Sequence, residues 1–340
     1  MTKKLVIINN EKCIDTNNDI YCQNIEIKSL SDNLSSAYDI KFLLRKSFVQ
    51  PVYKIDKSNV RLSSNIFSFT KNLIISIFKD QASYLIISVT PYTFYSFIFL
   101  FLFRKKTFLY LRSNGKEEIS IIAGKIFSNI YKMAENFMAK FSNLIVVNEL
   151  ISKKRNYFLV NPSQIDDDWL TNTKPSGNRD HIKLLYVGRL KVEKGIFSLI
   201  NIFKKINFQN KKVSLTLVGQ GKEPIEIYEN IKFLKPISEK SKMIDLYDNH
   251  TILILPSFTE GHPQVLLESL SRQRPVIIFK EIKHVIKNYE GVFVCQRDQE
   301  SLQKTIEIID NNYEEIINKI KKNTYPTKND FFKELKKILN

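Results

Sequence analysis

The sequence predicts an α/β protein built from two parallel-sheet domains. Three observations predict it. At 340 residues the chain exceeds the size of one ordinary domain, short apolar runs alternate with helically spaced segments, and a single polar stretch, 171–180 (TNTKPSGNRD), divides that alternation. Domains are therefore expected over 1–172 and 173–322, with a terminal segment over 323–340. Hydrophobic residues make up 43% of the chain, enough for real cores, which excludes a disordered chain.

In the first half, residues 4–8 read as an opening strand, and the apolar run of 1–10 is too short for a signal peptide. Ala37, Ile40, Leu43, Leu44 and Phe48 recur at helical spacing and predict a helix over 36–48, and a second is predicted over 69–78. Residues 84–89 (YLIISV) are a buried strand broken by Thr90-Pro91, so the apolar stretch running to Phe103 is not a membrane span. The helix over 92–103 is apolar nearly all round and ends in Arg104-Lys105-Lys106. Two readings stand: a core helix, or one docked on a bilayer surface with cations above the interface. Strands follow over 107–111, 144–147 and 157–160, and the absence of hairpin signals predicts parallel pairing.

The second half holds the chemistry. A strand over 183–187 delivers Gly188-Arg189, and a helix begins near Lys194-Gly195. One guanidinium at a strand end and one ammonium at a helix start suit a diphosphate, a planar fork beside a point charge. A strand over 213–218 ends in Gly219-Gln220-Gly221, by itself a weak signal. The strand 251–255 then opens a polar turn, with Pro263 at a first helical position and a helix through Leu270. Glu260 in the turn and Glu268 in the helix stand eight positions apart with only neutral residues between. Backbone N–H groups around Gly261 and His262 favour phosphate or sugar oxygens, and the carboxylates favour hydroxyls.

These residues carry a resemblance. EGHPQVLLE is similar to the E-x7-E element of the family 4 retaining glycosyltransferases, YVGRLKVEKG to their G-R-x4-K-G element, and V-G-Q-G to their V-G-x-G turn. The resemblance covers roughly 84–279 and is strongest over 184–275. It implies the GT-B architecture, two Rossmann-like domains facing each other across a cleft, with the terminal helix crossing back to the first. It further implies a hexosyltransferase-type activity that takes a UDP- or GDP-sugar to a glycan or lipid-linked acceptor with retention. Arg189 and Lys194 would neutralise the leaving diphosphate with no metal required, Glu260 would meet the sugar and Glu268 the ribose. Gly188, Gly219, Gly221, Gly261, His262, Pro263 and Gln264 complete the implied donor set, and Arg112, Ser113 and Asn114 are placed on the acceptor side. One departure is plain: Asn9-Asn10-Glu11-Lys12 stands where the family has a glycine-rich loop. Either the acceptor side is built differently or the acceptor is unusual.

Composition adds bounds. Net charge is +17, with the excess spread along the chain, which suits nucleic acid, an anionic membrane or a phosphorylated substrate. The alternative is a non-catalytic basic protein binding nucleic acid or an anionic membrane surface, although no interleaving of basic and aromatic residues marks a nucleic-acid face. Cys13, Cys22 and Cys295 lack metal spacing and suggest a reducing cytoplasm, at the inner face of a membrane if the acceptor is a lipid-linked intermediate of surface polysaccharide. Asp166-Asp167-Asp168 reads as an acidic helix start rather than a metal site.

Overall fold

A computed structural model describes residues 3–16, 19–48, 52–151, 156–174, 180–206, 208, 211–221 and 229–340. The chain divides into two compact units, Met1–Val160 with Phe331–Asn340, and Asn161–Asp330. The division falls at Val160, ahead of the polar stretch 171–180, of which 175–179 lie outside the described residues. Each unit has its own apolar core.

The first unit contains strands β1 (Lys3–Asp15), β2 (Ile20–Cys22), β3 (Tyr38–Lys46), β4 (Tyr53–Ile55), β5 (Val60–Ser63), β6 (Ser83–Ile87), β7 (Thr107–Leu111), β8 (Asn143–Val146) and β9 (Phe158–Leu159). Its helices are α1 (Ile25–Leu34), α2 (Ile66–Ile75), α3 (Pro91–Leu102), α4 (Gly115–Ala123) and α5 (Lys125–Lys140). Parallel pairing runs β5-β3-β1-β6-β7-β8-β9, so the chain steps to one side of β1 and then returns to its other side, the doubly wound Rossmann order.

Two expectations from the sequence fail in the first unit. Where a helix was expected over 36–48, residues 38–46 form β3, because Ile40, Phe42, Leu43 and Leu44 are buried between β1 and β5, and a strand covered on both faces shows no clean period of two. Hairpin pairing is present: β1 runs on to Asp15, turns at Thr16–Asp19 and pairs antiparallel with β2, which pairs antiparallel with β4. The glycine-free segment after Ile8 is therefore strand, with a register shift between Ile8 and Lys12 where the Asn9 side chain accepts from Glu11 N at 2.7 Å. Of the two readings of the next helix, packing favours the core: in α3 Phe97 and Leu100 are buried, Tyr92, Phe94, Tyr95 and Phe99 pack on the core, and Phe101 and Leu102 at its end are exposed. A Thr90–Thr93 capping box and Pro91 at the first position start it.

The second unit carries α6 (Asp167–Leu170), β10 (His181–Val187), α7 (Ile196–Phe203), β11 (Lys212–Val218), β12 (Ile231–Leu234), α8 (Lys240–Asp248), β13 (Ile252–Leu255), α9 (Gln264–Ser271), β14 (Val276–Phe279), β15 (Val292–Cys295), α10 (Gln299–Asn311) and α11 (Tyr313–Ile320). Six parallel strands stand in the order β12-β11-β10-β13-β14-β15, again doubly wound. The switch lies between β10 and β13, where open parallel sheets place ligands outside the strands' carboxyl ends. α12 (Lys328–Leu339) buries Phe331, Phe332, Leu335 and Leu339 in the first unit's core, and the Tyr38 hydroxyl donates to Asn340 Oδ1 at 3.0 Å.

Candidate active site

The loops after β10 and β13 leave neighbouring strands on the same edge of the sheet, so what they carry is brought together without long side chains. After β10 the chain closes on the loop after β11: Gly188 N donates to Val218 O at 2.9 Å and Leu190 N to Gln220 O at 2.8 Å. A Cβ on Gly219 would stand 1.7 Å from Gly188 O, so glycine is what allows that approach. A short 3-10 turn, Val192–Lys194, follows, ended by Gly195 at φ +68. A side chain there would meet Pro256 O at 1.9 Å, hence the turn that aims Lys194 packs directly on the loop that carries Glu260.

Lys194 Nζ lies 2.6 Å from Glu260 Oε1, and both side chains are mostly buried. Ser257 Oγ donates to the same carboxylate oxygen at 2.7 Å, and His284 Nε2 donates to the Glu260 carbonyl at 2.8 Å, which fixes that tautomer. Arg189 reaches toward solvent with half its side chain exposed, 3.9 Å from buried Glu193. The Tyr186 hydroxyl donates to Arg189 O at 2.7 Å. Burial first, then the Glu260 charge nearby, pushes this phenol far up, so Tyr186 stays protonated and keeps its hydrogen bond to the arginine turn.

Glu268 accepts from the Tyr247 hydroxyl at 2.7 Å. Burial pushes its carboxyl up to about 7, against the pull of that hydrogen bond. The folded value stands above the ordinary 4.5, so Glu268 contributes stability that is fully present below about 4.5 and lost as pH rises through about 7. Glu268→Gln is expected to flatten the fall in thermal midpoint between those pH values in the ligand-free protein. A variant that melts with the wild-type pH slope would show that Glu268 is not the titrating group.

His262 is held neutral, its pKa pushed down to about 4 by burial and by Lys287, and its buried Nε2 has no hydrogen-bond partner among the described residues. Gly261 and Pro263 are buried beside it. Gln264 is turned to the connector, donating to Pro162 O at 2.8 Å and accepting from Gln164 N at 3.2 Å. In the first unit Arg112 pairs with Glu26 of α1, Ser113 Oγ lies 3.3 Å from Glu118 Oε2, and Asn114 precedes α4 without a side-chain cap bond. Asp166 and Asp168 pair with Lys240, as an acidic helix start does, and among the described residues no cluster of His, Cys, Asp and Glu has metal-site geometry.

Two residues escaped the sequence reading. Glu193, buried within 3.9 Å of Arg189 and 4.0 Å of Lys191, holds the cations of its own turn. Arg297, just past β15, donates to Pro256 O at 2.9 Å, stacks 4.0 Å from the Phe258 ring centroid and 4.4 Å from that of Phe279, and is paired with Glu281 at 2.9 Å. It pins the start of the Glu260 loop from beneath. Arg297→Met is expected to lower the turnover of a Glu260-dependent reaction by about 10-fold or more, because small displacements of a reacting group are costly. Arg297→Lys should recover part of it, since an ammonium keeps a donor for Pro256 O. Equal turnover in Met and wild-type proteins would deny the residue a positioning role.

Residues 170–326 match the family model described as glycosyl transferases group 1. The capsular polysaccharide biosynthesis glycosyltransferase CapM of Staphylococcus aureus is 26% identical over 162 residues, which are 44% of this chain and 42% of CapM. The chain spans less than half the length of the first curated relatives it matches. Among solved structures, sucrose-phosphate synthase from Thermosynechococcus elongatus is similar at TM-score 0.72 and 15% identity, over 99% of this chain and 95% of that one. Anabaena HepE in complex with UDP and glucose is similar at TM-score 0.65 and 14% identity, over 94% of each chain. The protein thus has the GT-B glycosyltransferase fold, and the segment that holds Arg189, Lys194, Glu260 and Glu268 is homologous to the group 1 glycosyltransferases.

Proposed function

We propose that the protein is a glycosyltransferase that moves a sugar from a nucleoside diphosphate to a glycan or lipid-linked acceptor in surface polysaccharide synthesis, on the cytoplasmic side of a membrane. The contact of Lys194 with Glu260 at the switch point of the second sheet carries this reading. Lys194 and Arg189 take the diphosphate, stabilising charge that grows as the glycosidic bond breaks. Glu260 receives sugar hydroxyls, with His262 offering its unpartnered ring nitrogen, and Glu268 accepts from the ribose. HepE, whose fold this chain shares, holds UDP and glucose, which supports a UDP-sugar as the first donor to try. CapM's role in capsule synthesis supports a polysaccharide acceptor. The product is expected to retain the donor's anomeric configuration, a point proton NMR of the product decides.

The test is a panel of UDP- and GDP-sugars, with release of the free nucleotide followed by mass spectrometry and thermal stabilisation measured beside it. One donor is expected to be cleaved, and its nucleotide to raise the melting temperature while an oligonucleotide does not. Stabilisation by oligonucleotides alone, with no donor cleaved, would overturn the proposal.

A further inference from the structure

Resting on the proposed glycosyltransferase function, we infer that the first unit holds a sugar subsite of its own, floored by Glu26 and Tyr110, that takes the neutral, hydroxyl-bearing end of the acceptor and rejects a phosphorylated one. The first sheet reverses its winding between β1 and β6, and the crevice outside the carboxyl ends of such strands is where a parallel sheet places a ligand. Asn9 lies there one residue past the last β1–β6 pair, Ser88 follows β6 in the left-handed region at φ +63, and Arg112 follows β7. Arg112 pairs with Glu26 in the first turn of α1 and reaches Ser88 Oγ at 3.4 Å.

Two polar atoms beside that pair, Tyr110 Oη and Glu26 Oε1, are buried and have no hydrogen-bond partner among the described residues. Tyr110 is 0% exposed, and burial first, then the Glu26 charge, pushes its phenol far up, so the hydroxyl keeps its proton. Leaving such groups unpaired is costly, which marks a place that a ligand completes. A carboxylate oxygen that accepts beside a phenol that donates or accepts matches adjacent sugar hydroxyls.

Charge decides against a phosphate. A helix start with free N–H groups is its ordinary seat, and at α1 that seat is taken. Glu11 Oε1 accepts from Gln23 N at 3.0 Å and from Asn24 N at 3.1 Å, while the Asn24 side chain accepts from Glu26 N at 2.9 Å. The glycine-free segment Asn9-Asn10-Glu11-Lys12 thus continues as strand and carries its own carboxylate to the start of α1. Burial pulls Arg112 down, and the charges of Glu26 and then Glu11 outweigh it. Of the cations on the flanking elements, Lys28 is paired with Asp32 and Arg45 is stacked on the Tyr92 ring. Two acids therefore face one arginine, in a chain whose net charge is +17. A phosphate would meet uncompensated like charge there, the means by which a site refuses one of two similar substrates.

Saturation-transfer NMR on the full chain tests this with the methyl glycosides of glucose, galactose and N-acetylglucosamine and with the 6-phosphate of each. At least one neutral glycoside is expected to bind, and its 6-phosphate to bind at least about tenfold more weakly. Glu26→Gln, which keeps an acceptor for Arg112, should weaken the neutral glycoside by about tenfold or more, and Tyr110→Phe, which keeps the ring, by about threefold or more. Glu11→Gln should narrow the gap between glycoside and phosphate. Binding is read without donor, so a failure to cleave any nucleotide sugar would refute the proposed function and leave this result standing. No binding of any neutral glycoside, or a 6-phosphate that binds as tightly as its parent, would overturn the subsite. So would Glu26→Gln and Tyr110→Phe proteins that melt lower yet bind within about twofold of wild type, because the cluster would then only tie α1 to β7.

Discussion

Lys194→Ala is expected to lower cleavage of the nucleotide-sugar donor by about 100- to 1,000-fold, the loss seen when one preorganised group that meets developing charge is removed. The side chain is short of alternatives. It sits 21% exposed between the turn Val192–Lys194 and the Glu260 loop, with its ammonium already 2.6 Å from the carboxylate. Under the proposed function the same ammonium would serve the diphosphate of the donor, and the Glu260 oxygen it leaves would keep the Ser257 hydroxyl as donor. Lys194→Arg should recover little, because a planar fork does not fit where Gly195 packs directly on Pro256 O. Glu260→Gln keeps an acceptor for Ser257 and removes the charge, so its defect should combine with that of Lys194→Ala less than additively, as expected for groups acting as a unit. The measurement is single-turnover release of nucleoside diphosphate, with nucleotide affinity determined separately by calorimetry. Full activity in Lys194→Ala would move the leaving group elsewhere in the second unit.

Which parts of this arrangement were legible in the sequence follows from chemistry. In the second unit β10, β11, β13 and α9 were readable because short apolar runs ending in Gly-Arg, Gly-x-Gly or a Pro-bounded polar turn have few other uses. Glu260 and Lys194 were readable as neighbours through the order of motifs, and strand adjacency in the sheet supplies the physical cause. The first unit was less legible. Strand β3 is buried on both faces, so its apolar residues fit a helix as well as a strand, and only the pairing of Tyr38 to Lys46 with β1 decides. The hairpin from β1 to β2 has no Asn-Gly or Asp-Gly signal to announce it. Nor did the sequence separate α3 from α5. The denser apolar run is in the core, while an apolar stripe open to solvent lies in a helix diluted by Ser, Asn, Lys and Glu. Hydrophobicity says that a face must be covered, and the packing of neighbours says by what.

The same limit hid the two arginines of SRQRP, because arginine is almost never fully buried unless paired. Here Arg272 and Arg274 are 1% and 2% exposed, and Asp248 at the end of α8 joins them. Arg272 grips both carboxylate oxygens of Asp248, at 2.9 and 2.7 Å, and spends its other donors on the carbonyls of Trp169, Thr171 and Asn172. Arg274 donates to the carbonyls of Asp248 and Lys174, at 2.9 and 2.8 Å. The connector 168–174 is thereby fastened to the ends of α8 and α9. Asp248→Ala would leave two buried guanidiniums without a counter-charge, a loss of about 3–5 kcal/mol, and at this size should lower the melting temperature of the second unit by roughly 6 °C or more. Asp248→Asn keeps one acceptor for Arg272 and should fall between. The damage should also be directional. Tyr247, which holds Glu268, precedes Asp248, and Arg272 follows the helix that carries Glu268, whereas Lys194 and Glu260 hang on β10 and β13. Below the melting transition, Asp248→Ala should therefore raise KM for the donor more than it lowers kcat. A variant that melts within about 2 °C of wild type would show that the network contributes far less than a buried, bidentate ion pair is worth.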